Sequence, residues 1–233
     1  MSDPTATRMP TTAEILGWDV GTWSVALDAW RPYIESVGTT LDCLEVGAGP
    51  GGPSLWMASH GHEVTCTNRS DSRALASPLH EQFSQSSRIS YHDIDVTDIP
   101  WRDRFDVVVF KSVIGGVQPL GREGRSRALG EIRRALRPGG VLLYAENVRA
   151  TALHGLARAA ARRRRSGPWH YPTLAELESE LSEFSVHTLE TTGVLAMFGL
   201  TEGQRRLFTR VDRRVLNRLP PSWRYVAYGV AST

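Results

Sequence analysis

Lys111 is the one lysine of a 233-residue chain in which every other basic side chain, histidines aside, is an arginine. It stands in "DVVVFKSVIGG", residues 106–116, where a hydrophobic run ends and glycines begin. Either residue type supplies positive charge, but only lysine can give up its proton when burial pulls its pKa toward neutrality. A lysine on the rim of an apolar pocket is therefore a candidate general base, or a stabiliser of a developing alkoxide. The plain alternative is a chance survivor that forms a salt bridge with a neighbour. Glu146 in "AENV", residues 145–148, and His154 both follow the fifth strand-like run closely and are the candidate partners of Lys111. A second chemical feature is "LEVGAGPGG", residues 44–52, at the end of the first strand-like run. Glycines there let the backbone turn tightly and approach a ligand, and the helix start that follows offers unpaired N–H groups.

The elements that must position these groups alternate. Strand-like runs appear at "LDCLEV", "HEVTCT", "RISYHD", "FDVVVF" and "GVLLYAE", with helical patterns between them. Ahead of them, Trp23, Ala26, Leu27 and Trp30 recur at helical spacing and predict a helix over 19–36. Leu129, Ile132 and Leu136 share one face of a helix over 123–136 that "RPGG" ends. Such alternation predicts a parallel sheet with helices on both faces. After residue 147 the pattern changes. A helix over 151–165 places Leu153, Leu156, Ala157 and Ala160 on one side and arginines on the other, Thr173 and Glu176 have capping-box spacing, and "SVHTLETTG" and "WRYVAYGVA" flank a helix at about 201–219.

Composition narrows the classes. With 41% hydrophobic and 22% charged residues the chain can bury one large core. A net charge of +2 is too small to indicate a nucleic-acid partner, and no apolar stretch is long enough for stable membrane insertion. "MSDPTATRMPTTAE" has no apolar core behind basic residues and does not read as a secretory signal. Cys43 and Cys66 each sit inside a strand-like run as small buried hydrophobes, which suits a reducing compartment, and the expected location is cytoplasmic.

Taken alone, the glycine segment reads two ways. Gly47, Gly49 and Gly52 satisfy G-x-G-x-x-G, the dinucleotide fingerprint, and "NRS" at 68–70 stands where an NADP enzyme holds its 2′-phosphate. Glu45, Gly47, Gly49 and Gly51 equally satisfy acidic-x-G-x-G-x-G. The following segments, "DIDVTDIPW" at 93–101, "FDVVVF" and "LRPGGVLLYAE", continue the second reading in order and spacing. From residue 41 to about 147 the chain resembles the class I S-adenosylmethionine-dependent methyltransferases. That resemblance implies a Rossmann-like, doubly wound α/β sheet of seven strands, one of them antiparallel. Its N-terminal helical lid would span 1–38, and its methyltransferase domain 39–233, with a cap segment at 148–172. S-adenosyl-L-methionine is the implied cofactor. By position, the loop Glu45, Gly47, Ala48, Gly49 and Gly51 would hold its methionine end, Asn68 its ribose, and Asp95 with Val96 its adenine, with Lys111 beside them. Asn68 departs from the family pattern, since an amide bonds a hydroxyl without the charge of a carboxylate.

A reductase of the compact single-domain kind needs a tyrosine four residues before its lysine, and that position is Val107. A non-catalytic nucleotide-binding protein is a third reading, because a fold alone never proves catalysis. The expected reaction is O-methylation of a hydroxyl on a small-molecule acceptor, a natural product or a sugar. The Glu146–Asn147 pair resembles the Asp-Asn pair with which catechol-type O-methyltransferases hold magnesium, but Lys111 occupies the place of their further carboxylate and would repel a divalent ion, so no metal is expected. The run Arg162 to Arg165 reads as a solvated face before it reads as a phosphate or membrane grip. Trp23 and Trp30 are expected against the sheet, with Trp18 free to face the cofactor.

Overall fold

In a computed structural model of the chain, residues 8–117, 121–162 and 169–233 are described; Arg163, Arg164 and Arg165 lie outside them. The strands are β1 (Asp42–Val46), β2 (Glu63–Asn68), β3 (Ile89–Asp93), β4 (Phe105–Lys111), β5 (Leu136–Asn147), β6 (Val186–His187), β7 (Glu190–Thr192) and β8 (Val226–Ser232). The helices are α1 (Thr12–Leu16), α2 (Val20–Trp30), α3 (Gly52–Ser59), α4 (Ser72–His80), α5 (Gly121–Ala135), α6 (Ala152–Arg162), α7 (Leu174–Leu181) and α8 (Glu202–Arg214). They flank one sheet of order β3-β2-β1-β4-β5-β8-β6, with β7 also paired to β8. β1 to β5 run parallel, and β8 is antiparallel to β5, β6 and β7. This is the expected doubly wound arrangement with one antiparallel strand. The sheet holds eight strands because the expected sixth is split at Thr188 and Leu189. Gly229 of β8 makes room there: a Cβ on it would lie 1.9 Å from the Thr188 carbonyl, which also accepts the Tyr144 hydroxyl at 2.6 Å.

The central strands are apolar along their length because both faces of the sheet are covered. One face packs Cys43, Cys66, Val107, Val109 and Leu143 against Trp23, Leu27 and Trp30 of α2. The other packs Leu44, Val108, Phe110 and Leu142 against Leu129 and Ile132 of α5 and Leu177 of α7. Trp23 and Trp30 are fully buried, as expected of them, and Trp30 Nε1 donates to the Gly229 carbonyl at 3.3 Å.

Three expectations are corrected. The N-terminal helix is shorter than 19–36: α2 gives way to a 3-10 turn at Arg31–Tyr33, where Pro32 lacks the N–H an α-helix would use. A short additional helix, α1, precedes it, closed by a Thr11–Glu14 capping box. In α6 the apolar stripe does not face inward. Leu153 is 62% and Leu156 69% exposed, while His154 and Arg158 are turned in by hydrogen bonds to the carbonyls of Val194 and Val148.

α5 and α7 are joined by Arg125 and Glu180, both 1% exposed, with Nη2 and Oε1 2.8 Å apart and Nε bonded to both carboxylate oxygens. Removing one partner leaves a buried charge uncompensated, which costs about 3–5 kcal/mol. Glu180→Ala should therefore lower the unfolding free energy measured by urea titration by about 3–5 kcal/mol, and Glu180→Gln by less.

Candidate functional site

At the end of β1 the chain turns through the glycine loop. Gly47, Gly49 and Gly51 all have positive φ, at 61°, 53° and 76°. Their reasons differ. A Cβ on Gly47 would press on Val113, and one on Gly51 would strike the His80 ring, whereas nothing lies within 4 Å of the Cβ position at Gly49. Gly49 is thus the loop's open face. Gly52 serves a neighbouring element: a Cβ there would lie 2.1 Å from the Ile15 carbonyl, so the fourth glycine lets α1 seat on the start of α3. The G-x-G-x-x-G match therefore draws its last glycine from helix packing at the N-terminus.

Glu45 is 2% exposed. Its Oε2 accepts the Ser54 N–H at 2.7 Å and the Ser54 hydroxyl at 2.5 Å, which ties β1 to the first turn of α3. Burial pushes its carboxyl up to about 8 against the pull of those two bonds. Through Ser54, Glu45 holds the start of the loop to the helix that follows it. Ala48 donates to the Thr67 carbonyl at 2.8 Å. Asn68, at the end of β2, accepts the Gly49 N–H on Oδ1 at 2.8 Å, and its Nδ2 reaches the Gly49 carbonyl at 3.4 Å. The missing carboxylate thus has a local consequence, since an amide can both accept from and donate to the same backbone unit. Asp95 is partly exposed: its Oδ1 accepts the N–H and hydroxyl of Thr97, bonds that hold the carboxyl below its usual range, and its Oδ2 lies 3.7 Å from Arg69 Nη2. Val96 packs on the α5 side of the core.

Lys111 ends β4. Its Nζ lies 4.2 Å from the Trp18 ring centroid and 4.5 Å from that of Trp23, in the angle of two indoles set edge to face at 5.1 Å. Among the described residues it forms no ion pair. Burial draws its pKa down to about 8, although Asp19, Glu45 and Glu146 oppose the shift. Trp18, two residues before α2, is 42% exposed. Asp19, which the sequence did not single out, starts α2 at φ 47° and accepts the Tyr225 hydroxyl on Oδ2 at 2.6 Å.

Glu146 is fully buried at the end of β5. Its Oε2 accepts from the N–H groups of Val113 and Ile114 at 2.8 Å and Gly115 at 3.4 Å, and its Oε1 from Asn147 at 2.8 Å. Burial raises it to about 7 in spite of these bonds. The expected direct pair with Lys111 is replaced by this backbone clasp, which occupies the oxygens that a metal would require. Asn147 Nδ2 donates to Ser112 Oγ at 2.8 Å, holding Ser112 at φ 58°, a strained value for a residue with a side chain. His154 is corrected in the same way. Its Nε2 lies 2.8 Å from the Val194 carbonyl and its Nδ1 2.7 Å from the Thr151 hydroxyl, and at 2% exposure both nitrogens are spent. Its part is packing, against Phe198 and Tyr225.

The loop after β4 is covered by Trp169, whose ring would collide with a Cβ on either Gly115 or Gly116, and His170 donates its N–H to the Gly115 carbonyl at 2.9 Å. The "IGG" triplet was the available signal for such a close approach.

With this geometry in view, residues 44–144 match the family model described as "Methyltransferase domain". The likeness to the class I S-adenosylmethionine-dependent methyltransferases is thus shown over that segment, from β1 into β5. No curated protein sequence matches the chain. Among solved structures the chain is similar to a Haemonchus contortus phosphoethanolamine N-methyltransferase 2, in complex with phosphomonomethylethanolamine and S-adenosylhomocysteine. The identity is 17% and the TM-score 0.62, over 91% of this chain and 52% of that one. It is also similar to the [4+2]-cyclase SpnF, at 17% identity and TM-score 0.58, over 89% of this chain and 79% of the other. A third is a SAM-dependent methyltransferase of Methanosarcina mazei, at 15% identity and TM-score 0.58, over 84% and 94%. At these identities the likeness speaks for the fold, and the chain spans about half the length of the first of them. S-adenosylmethionine is the cofactor of the family.

The residues present fit that cofactor. An open glycine loop and an exposed carboxylate at Asp95 suit, in turn, close backbone approach and a polar base or ribose. Gly49→Val puts a branched side chain at φ 53°, a strain of about 1–2 kcal/mol before any clash with ligand. Calorimetry with S-adenosylhomocysteine should show affinity at least about tenfold weaker, the equivalent of about 1.4 kcal/mol, because the side chain fills the open face that the ligand approaches; undiminished affinity would remove the loop from the site.

Proposed function

We propose that this protein methylates a hydroxyl on a small molecule, with Lys111 receiving or shielding the proton that the hydroxyl loses. The observation that carries the reading is the setting of Lys111 Nζ: over two indole faces, among the described residues without an ion pair, at the sheet edge where strand ends line the ligand crevice. Bound there, S-adenosylmethionine supplies an electrophilic methyl group on a sulfonium. The loop from Glu45 to Gly51 would hold its methionine end, Asn68 its ribose through the second N–H of the amide, and Asp95 with Val96 its adenine. The chain's own work is then to orient the acceptor, exclude water and deal with a proton.

An ammonium at Lys111 stabilises a developing alkoxide, and a neutral amine accepts its proton. With the pKa near 8 both forms are accessible. Glu146 supports this at one remove by fixing the backbone just beyond Lys111, and His154 has no place in the proton path. In our reading the described parts of the cap segment, 148–162 and 169–172, and of the N-terminal segment, 8–38, flank the acceptor. Support for a hydroxyl comes from the need for a base, and support for a small molecule of the natural-product or sugar kind comes from the compact crevice.

Two outcomes test the reading, with S-adenosylhomocysteine formation as the readout on acceptors found by screening phenolic and sugar hydroxyls. If Lys111 is the base, kcat/KM rises with pH through about 8, because the neutral form gains as the proton leaves. Lys111→Arg and Lys111→Met are then both slowed by about 10²–10⁴. A role in charge alone spares the arginine variant, and full activity in the methionine variant ends the proposal. The methionine variant should be no less stable below pH 8. There the folded state carries a desolvated ammonium whose cost disappears only as pH climbs from about 8 toward the unfolded value.

Turnover should also survive exhaustive chelation unchanged, since the Glu146 oxygens are engaged by backbone N–H groups. Restoration of lost activity by magnesium would recast Glu146 and Asn147 as ligands.

A further inference from the structure

We propose that the pocket between α6 and residues 169–171 seats an oxyanion, a carboxylate or a phosphate, carried by an aromatic methyl acceptor. The proposal rests on the methyltransferase reading and names the substrate class of the same crevice. The pocket measures about 510 Å3, room for a small planar molecule, and its walls include Arg149, Thr151, Arg158, Trp169, His170 and Tyr171. It lies against the two loops that carry the chemistry. Arg149 and Thr151 directly follow β5, and Trp169 rests on Gly115 and Gly116, just beyond Lys111.

Arg158 decides the charge it would accept. The helix turns this side chain inward, one amino group donates to the Val148 carbonyl at 2.8 Å, and the guanidinium lies 3.7 Å from the centre of the Tyr171 ring. Nη2 is shut off from solvent with no hydrogen-bond partner among the described residues, and no carboxylate there comes within ion-pair distance of the group. The acids that bear on the pocket are committed elsewhere. Glu146 is clasped by four backbone N–H groups, and Glu176, whose Oε2 is 3.9 Å from His170 Nε2, caps α7 through Thr173. A desolvated guanidinium without a carboxylate is costly, and its fork matches the two oxygens of a carboxylate or phosphate. Arg149, exposed beside the pocket, adds a second positive charge on the approach. Trp169 and Tyr171 supply flat apolar walls, which is why the acceptor is assigned an aromatic body. The oxyanion would reach Nη2 by displacing the Tyr171 ring, whose centre lies 3.7 Å from the guanidinium.

The test titrates the full chain, by calorimetry at fixed ionic strength, with benzoate, phenyl phosphate and neutral benzyl alcohol, and separately with S-adenosylhomocysteine. One or both anions should bind, the tighter one identifying the oxyanion, with benzyl alcohol at least tenfold weaker. Arg158→Gln should weaken the anion at least tenfold, Arg158→Lys should recover part of the loss by charge without the fork, and Arg149→Ala should cost two- to threefold. Equal binding of benzyl alcohol and benzoate overturns the proposal, as does undiminished anion affinity in a folded Arg158→Gln. Should that variant not fold, Arg149→Ala and Tyr171→Leu decide, and unchanged anion affinity in both overturns it. Binding of S-adenosylhomocysteine without either anion overturns this inference while sparing the methyltransferase reading. Anion binding without S-adenosylhomocysteine supports the pocket and ends that reading.

Discussion

The clasp on Glu146 is the interaction from which the crevice is built. Three consecutive N–H groups, from Val113 to Gly115, converge on one carboxylate oxygen, so the loop after β4 cannot drift from the end of β5. Everything on that loop inherits the constraint. Val113 is held where only a glycine at position 47 can pass beneath it, which couples the loop to the glycine turn. Gly115 and Gly116 present bare backbone on which Trp169 lies, which couples it to the far side of the pocket. Ser112 is forced into a left-handed conformation between the two anchored segments, with its N–H on the Ala145 carbonyl at 2.8 Å. Lys111 is the last residue before that turn.

Glu45 repeats the device one strand away, and the two carboxylates share an electrostatic problem. Each is desolvated at the end of a central strand, and each is raised, to about 8 and about 7. Asp19 is raised for the same reason from the side of α2. Lys111 is the cation facing all three, and none of them is close enough to pair with it directly. The result is one ammonium and three carboxylates, each carboxylate favouring the charged lysine through low dielectric without being locked in a contact with it. A locked ion pair would hold the ammonium firmly protonated; the indole faces attract it more weakly and leave the proton free to move.

Strand and helix alternation, the glycine turn, the capping box at Thr173 and the buried tryptophans of α2 were legible in the sequence because each depends on local pattern. The position of Lys111 followed from knowing which end of a parallel strand faces a ligand. What was not legible depends on partners remote in sequence. Glu146 looked like a free acid, since its four donors come from backbone, which carries no sequence signature. His154 looked available until Thr151 and the Val194 carbonyl engaged it. The stripe of leucines in α6 pointed inward on the usual rule for amphipathic helices, and the rule failed because two polar side chains found carbonyl partners beneath the helix. Likewise Gly52, assigned by its spacing to a dinucleotide motif, answers to a helix that lies some forty residues earlier, on the order of the separation that such patterns cannot see.

The chain's preference for arginine gives the last step. Two cations flank the crevice, Lys111 beyond β4 and Arg158 on α6, and both are buried enough that burial lowers their affinity for protons. For arginine that shift has no consequence near neutral pH, because the guanidinium starts too high to lose its proton, so Arg158 is a permanent charge suited to holding an anion in place. For lysine the same physical cause brings the ammonium to about 8, where proton loss is ordinary chemistry. A guanidinium between Trp18 and Trp23 would also stack flat on an indole and be fixed there, whereas the compact ammonium can turn toward an acceptor. In a sequence whose other basic side chains, histidines aside, are all arginines, the exception stands where the proposed reaction calls for a titratable cation.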